Sequence, residues 1–257
     1  MQRRKILVTN DDSIHAPGLA LLADIATGFG EVTVIAPSLP QSGMGHAVTV
    51  NNNIRVTPTN LFGSLAAYAC SGTPVDCVKW AVTTLYQDQK PDLVLSGVNH
   101  GSNVAMNVLY SGTMSAAMEG ALEHIPSIGF SFAQTAWNAD LTPYKSKIHD
   151  IIQLVFEHSK EIDTLCFNVN IPDLPVGQIQ GVRFCRQGFA FWKDDYKKYH
   201  DPSGHPYYWL AGEFTAHEQD TEDTDYYLLQ QGFITIVPVY FDLTHHSLLH
   251  KMRDWSL

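Results

Sequence analysis

The stretch KILVT at 5–9, followed at once by Asn10, Asp11 and Asp12, does most to limit what this chain can fold into. A short, continuous β-branched run reads as a strand buried on both faces, and such strands belong to parallel sheets covered by helices. A second run, EVTVIAP at 31–37, follows, and residues 19–29 between them carry apolar side chains at helical spacing. The three segments make a βαβ unit. The alternation continues with a helix over 75–86 that opens at Pro74, a strand over 91–99, a helix over 113–124 and a strand over 126–132. A helix over 145–158 and a strand over 164–172 complete it. The expected fold is therefore α/β, a mostly parallel sheet with helices on both faces.

After Pro172 the texture changes. GVRFCRQGFAFW, PYYWLAGEF and GFITIVPVYFDLT read as strands separated by polar or acidic stretches, with little helical spacing until the last residues. They are hairpin-like additions to one α/β domain over 1–257, which divides into a core at 1–172 and an extension at 173–257. Aromatic hairpins without a covering helix either reach a neighbouring subunit or pack on the edge of the chain's own sheet.

Apolar residues make up 45% of the chain and charged ones 16%, which is ordinary globular composition and excludes a disordered or fibrous protein. Sixteen basic residues against twenty-six acidic ones leave a formal charge of −10, the wrong sign for gripping a nucleic-acid duplex. Cys70, Cys77, Cys166 and Cys185 lack C-x-x-C spacing and sit in apolar surroundings, so buried free thiols of a reducing compartment are expected. The apolar run after MQRRK is too short for a signal peptide, and no window approaches a membrane span. The expectation is a cytoplasmic protein with no membrane partner.

In open α/β sheets ligands collect beyond the carboxyl ends of the strands. Three loops there carry oxygen donors: Asn10, Asp11 and Asp12 after the first strand, Ser42 and Gly43 after the second, Asn99 and Asn103 after a later one. Paired carboxylates, a hydroxyl and an amide oxygen suit a hard divalent cation such as Mg²⁺, Mn²⁺ or Ca²⁺ better than zinc. Adjacent aspartates also repel, and a cation beside them relieves that repulsion. The plainer reading is that one aspartate caps the next helix. In LYSGTMSAAMEGA, Ser111, Gly112 and Thr113 lead straight into a helix, whose first N–H groups form either an anion site or an ordinary N-cap.

Four segments, ILVTNDDSIHAPG, QSGMGHAVT, SGTPVDCVKWA and SGVNHGSNV with LYSGTMSAAMEGA, resemble the signature segments of the SurE family of metal-dependent nucleotide phosphatases. FNVNIP and GFITIVPVYFDLT extend the resemblance over nearly the whole chain. It implies a Rossmann-like, doubly wound core with a C-terminal β-hairpin extension exchanged between subunits in a homodimer or homotetramer. It further implies Asp11, Asp12, Ser42 and Asn99 as ligands of a divalent cation, Mg²⁺ or Mn²⁺, and Asn103, Ser111, Gly112 and Thr113 as phosphate contacts. Nucleoside 5′- or 3′-monophosphates are the implied substrates. The chain departs from the family at Ser13, where glycine is usual and where serine adopts positive φ less readily.

The expected reaction is hydrolysis of a phosphate monoester, with Asp11, Asp12 and Asn103 as catalytic residues. An aspartyl-phosphate phosphatase would need its two aspartates two residues apart, whereas Asp11 and Asp12 are adjacent. A phosphorylation-dependent receiver module also starts with an acidic pair, but it needs an aspartate where DLVLSGVN ends in Asn99. A dinucleotide enzyme would need G-x-G-x-x-G after the first strand, which is missing. His15, His46 and His100 flank the site loops as proton shuttles or supports, and an exchanged tail would bring His245 and His246 to a neighbour's site. The acidic stretch at 213–225 reads as a solvated face. The rings of PYYWLAGEF serve packing or base stacking.

Overall fold

Lys5–Thr9 forms β1, with every residue after Lys5 buried. The computed structural model describes residues 3–159, 166–217, 219 and 221–255. Helix α1, Pro17–Ala26, starts five residues after Asp12 with proline in its first turn, where the missing N–H has no partner to lose. It returns the chain to β2, Glu31–Pro37, which pairs parallel to β1 in the register Ile6↔Val32 and Val8↔Val34.

Two strands then appear that the sequence pattern did not mark. β3, Val56–Pro58, and β4, Ala66–Cys70, extend the sheet beyond β2, with β4 parallel to β2 and β3 antiparallel at the edge. AAYAC has little β-branched signal, and its pairing comes from the neighbour it meets. Helix α2, Pro74–Trp80, opens with a capping box in which Thr73 and Asp76 each satisfy the other's backbone N–H. The expected continuation to Tyr86 changes to a π-helical turn at Ala81–Leu85, so the α-helix proper is shorter than its spacing suggests.

β5, Leu93–His100, lies on the other side of β1. Helix α3, Gly112–Leu122, leads to β6, Ser127–Phe132, and helix α4, Lys145–His158, leads to β7, Cys166–Ile171. Thr164 and Leu165 of the expected seventh strand lie outside the described residues. The extension supplies β8, Gly181–Phe184, β9, Phe191–His200, β10, Pro206–Thr215, helix α5, Asp225–Gln230, β11, Phe233–Pro238, and helix α6, His246–Met252.

The sheet order is β3-β4-β2-β1-β5-β6-β7-β11-β8. The chain builds outward from β1 in one direction, then crosses over and builds in the other, so the sheet is doubly wound with its switch point between β1 and β5. Alternate residues of β1 supply the two cores. Ile6 and Val8 pack with Leu19 and Leu22 of α1 and Ile148 and Ile152 of α4, while Leu7 packs with Val78 of α2 and Ala116 of α3. The four cysteines are free thiols, three of them buried, and burial pushes Cys166 up to about 12.

Part of the extension packs on the edge of the chain's own sheet. β11 pairs antiparallel to β7 and β8 pairs parallel to β11, closing the chain's own sheet edge. β9 and β10 instead form a separate two-stranded sheet, and every residue of β9 is exposed.

Candidate active site

The loops after β1 and β5 flank the switch point, and the residues singled out in the sequence meet there. Asp11 and Asp12 are 4% and 7% exposed, each with a different protein partner. The Asp11 Oδ1 accepts the Thr113 hydroxyl at 2.5 Å, and the Thr113 backbone N–H also stabilises this carboxylate. The start of α3 is therefore faced by Asp11 itself, an anion at the positive end of a helix. Ser111 is the N-cap, with its hydroxyl accepting from the Met114 N–H at 3.1 Å. Gly112 is obligatory for this approach, because a Cβ there would lie 2.7 Å from the Asp11 Cβ.

Asp12 turns the other way. Its Oδ2 accepts the His100 backbone N–H at 3.1 Å and meets the His100 ring Nδ1 at 3.0 Å. His100 is held by stacking on Trp137, centroids 5.1 Å apart, and its Nε2 is buried without a partner among the described residues. Ser13 adopts φ +90°, so the chain does take the conformation that glycine would favour. Asn10 secures the turn by donating its side-chain N–H to the Ser13 carbonyl at 2.9 Å.

A cleft of 850 Å³ opens over these loops, with Asp11, Ser42, Asn99, Asn103 and Ser111 in its wall. Asn99 donates through Nδ2 to the Gly101 carbonyl at 2.8 Å, which leaves its side-chain oxygen as acceptor. Asn103 is fixed on three sides. Its backbone N–H donates to Asn170 Oδ1 at 2.7 Å, its carbonyl accepts from Asn168 Nδ2 at 2.7 Å, and its side-chain amide donates to the Ser131 hydroxyl at 2.8 Å. Ser42 is exposed on a loop pinned at several points. The Gln41 N–H donates to the Asp11 carbonyl at 2.8 Å, and His46 Nε2 meets buried Glu119 of α3 at 2.9 Å. Lys79 of α2 donates to the other Glu119 oxygen at 2.6 Å. Burial alone would raise the Glu119 carboxyl, but the bonds from His46 and Lys79 outweigh it and hold it below its usual range.

Burial raises Asp11 from 3.8 to about 6, the Asp12 charge adds to the rise, and Thr113 opposes it. The neighbourhood holds too little positive charge for two carboxylates, and no lysine or arginine is among the described residues lining the cleft. No three acidic, histidine or cysteine side chains among the described residues form a metal cluster. Asp11, Ser42 and Asn99 line one cleft and Asp12 follows Asp11 in the same loop, and carboxylates with neutral oxygens are the donor chemistry that fits a hard divalent ion.

A family model described as Survival protein SurE matches residues 6–194. The chain belongs to the SurE family. It is 46% identical to the 5′-nucleotidase SurE of Flavobacterium psychrophilum over 258 residues, covering 100% of this chain and 99% of that protein. The 5′-nucleotidase SurE of Chlorobaculum tepidum is 40% identical, with 100% of this chain and 96% of the relative covered. The crystal structure of the SurE protein from Aquifex aeolicus aligns with a TM-score of 0.80 at 34% identity, covering 97% of this chain and 98% of that one.

In this SurE chain several supporting residues escaped the sequence reading. Asn168 and Asn170 lie two apart on buried β7, and two amides on one face of an apolar strand are the signal that could have exposed them. Asp225 ends the stretch read as a solvated face, yet it is fully buried. Its carboxylate accepts from the Ala105 N–H at 3.0 Å and the Gly188 N–H at 2.7 Å, tying the loop after Asn103 to the start of the hairpin. Glu218 and Asp220 of that stretch lie outside the described residues. His15 is exposed, His245 caps α6 and His246 pairs with Asp242 at 2.7 Å.

Proposed function

We propose that this SurE chain is a divalent-metal-dependent phosphomonoesterase that hydrolyses nucleoside 5′-monophosphates, and 3′-monophosphates with them, to nucleoside and phosphate. One observation carries the reading: a cleft at the switch point is walled by the buried Asp11 carboxylate and by neutral oxygen donors, with no lysine or arginine among its described lining residues. A phosphate dianion enters such a cleft only with a positive ion to offset Asp11 and Asp12. Its 5′-nucleotidase relatives over full length support the substrate class.

Asp11, Asp12, Ser42 and Asn99 would hold the cation, Mg²⁺ or Mn²⁺. Bound there it would polarise a phosphoryl oxygen and lower the pKa of a water. Asn103, rigid in its asparagine and serine network, and the Ser111, Gly112 and Thr113 turn present donors to the remaining phosphoryl oxygens. The Thr113 hydroxyl and backbone N–H are already given to Asp11, so the donors this turn offers a phosphate are the Ser111 hydroxyl and the Gly112 backbone N–H. A water oxygen bonds to phosphorus as the bond to the ribose oxygen breaks. Asp11 or Asp12 takes one of the water's protons, the other stays on the phosphate, and the departing ribose oxygen takes a proton from solvent water to leave as the nucleoside hydroxyl. His100 fixes Asp12 Oδ2, which leaves Oδ1 for this work.

The reading extends to assembly. The unit is one domain with a Rossmann-like core at 1–172 and an extension at 173–257, in a homodimer or homotetramer. Since β9 and β10 wall their own chain's cleft, the exchanged portion we propose is the tail after β11, where Leu243, Leu249 and Trp255 stand exposed. Among the described residues no helix is long and apolar enough to cross a membrane.

Phosphate release from a panel of nucleoside monophosphates, with Mg²⁺, Mn²⁺ or chelator, tests the function beside Asp12→Asn. The expected result is turnover that chelator abolishes and that Asp12→Asn lowers by about a thousandfold, the scale of a lost transition-state charge contact. Release that survives both would overturn the metal reading.

A further inference from the structure

The cleft is far larger than a phosphoryl group needs, and part of its wall is built from the β9–β10 hairpin. In an antiparallel pair alternate residues share a face. The register sets Trp192 opposite Phe214, Asp194 opposite Gly212 and Tyr196 opposite Leu210. Trp192, Asp194, Leu210 and Gly212 therefore belong to one hairpin face, and all four line the cleft, with Phe191 and Ala211 of the alternate set also reaching it. Trp192 is braced by its cross-strand neighbour Phe214, ring centroids 5.6 Å apart. Gly212 lets the two strands approach closely opposite Asp194, since a Cβ at this position would stand 2.8 Å from the Lys193 carbonyl oxygen. This face thus offers a braced indole and a carboxylate to the cleft that the oxygen donors also line.

We propose that this hairpin face is a base-recognition subsite, with Trp192 as the stacking surface and Asp194 as the acceptor that selects the base. The proposal rests on the nucleotidase reading and says which nucleotides that site prefers. An ionised carboxylate only accepts hydrogen bonds. Guanine offers a ring N–H and an amino N–H side by side to its two oxygens, while adenine and cytosine each offer an amino group. Uracil's ring N–H lies between two carbonyl oxygens that a carboxylate repels. Guanine nucleotides are favoured most and uracil nucleotides least.

The test uses the full chain with Mn²⁺ and measures kcat/KM for GMP, UMP and ribose 5-phosphate, which has no base. Guanosine binding is measured alongside by calorimetry. The wild type should prefer GMP over UMP by about tenfold, and Asp194→Asn should bring that ratio close to one. Trp192→Ala should lower the ratio of GMP to ribose 5-phosphate by about tenfold, through KM rather than kcat. Ratios that neither variant moves overturn the subsite, as does an Asp194→Asn effect confined to the Mn²⁺ requirement. Hydrolysis that is blind to the base sinks the subsite and leaves the phosphatase reading standing. Guanosine binding that Trp192→Ala weakens, without hydrolysis of any of the esters, does the reverse.

Discussion

Ser13 sits at φ +90° in the loop that aims Asp11 and Asp12, and the strain is local, because Asn10 holds its carbonyl and the residue is buried. A non-glycine residue there costs about 1 kcal/mol relative to glycine. Ser13→Gly should therefore stabilise the protein by about that amount, read from the midpoint of a denaturant titration. Asp11 supplies a pH signature. Its folded-state value near 6 lies above its ordinary 3.8, so the protonated carboxyl favours folding at low pH and that contribution is lost as pH rises through 6. In chelator, Asp11→Asn should gain on the wild type between about pH 4 and pH 7, by roughly 3 kcal/mol, and then level off. Thermal melts of the two proteins across that range check it, and parallel curves would refute the carboxylate strain. That Asp11 and Asp12 form a pair was legible in the sequence. That one faces a helix start and the other a histidine was not, since Thr113 and His100 lie about ninety to a hundred residues away along the chain.

At the scale of elements, α3 is the part on which the site depends. Its first turn touches Asp11, while Glu119 two turns on holds His46 beside the Ser42 loop. Gly112→Ala puts a methyl group against Asp11 and must push α3 or the aspartate loop aside. We expect turnover to fall by at least tenfold with a loss of about 1–3 kcal/mol in stability, the range of an overpacked contact. Activity assays beside thermal melts separate the two effects, and wild-type turnover would show that the helix has room to retreat. The spacing of apolar residues gave α4 at its observed bounds and β1 and β2 without error. It missed β4, whose small residues carry little strand signal, and α5, six residues that begin where the acidic stretch ends.

For the whole molecule, the hairpin and tail expose Tyr208, Trp209, Leu243 and Trp255 to solvent, large apolar side chains of the kind that subunit interfaces bury. Light scattering behind size exclusion should give a dimer or tetramer, and removal of residues 243–257 should shift it toward monomer; a monomeric full-length chain would sink the exchange. The sequence by itself determined the fold class and the oxygen-donor loops, because buried strands must be apolar and loops beyond them are free to carry polar side chains. Only the tertiary structure decided that β1 and β5 flank the switch point, that Asn168 and Asn170 fix Asn103, and that the hairpin walls the cleft. These are contacts between residues distant in the chain, and periodicity, which reports which face of an element is buried, carries no record of what it is buried against.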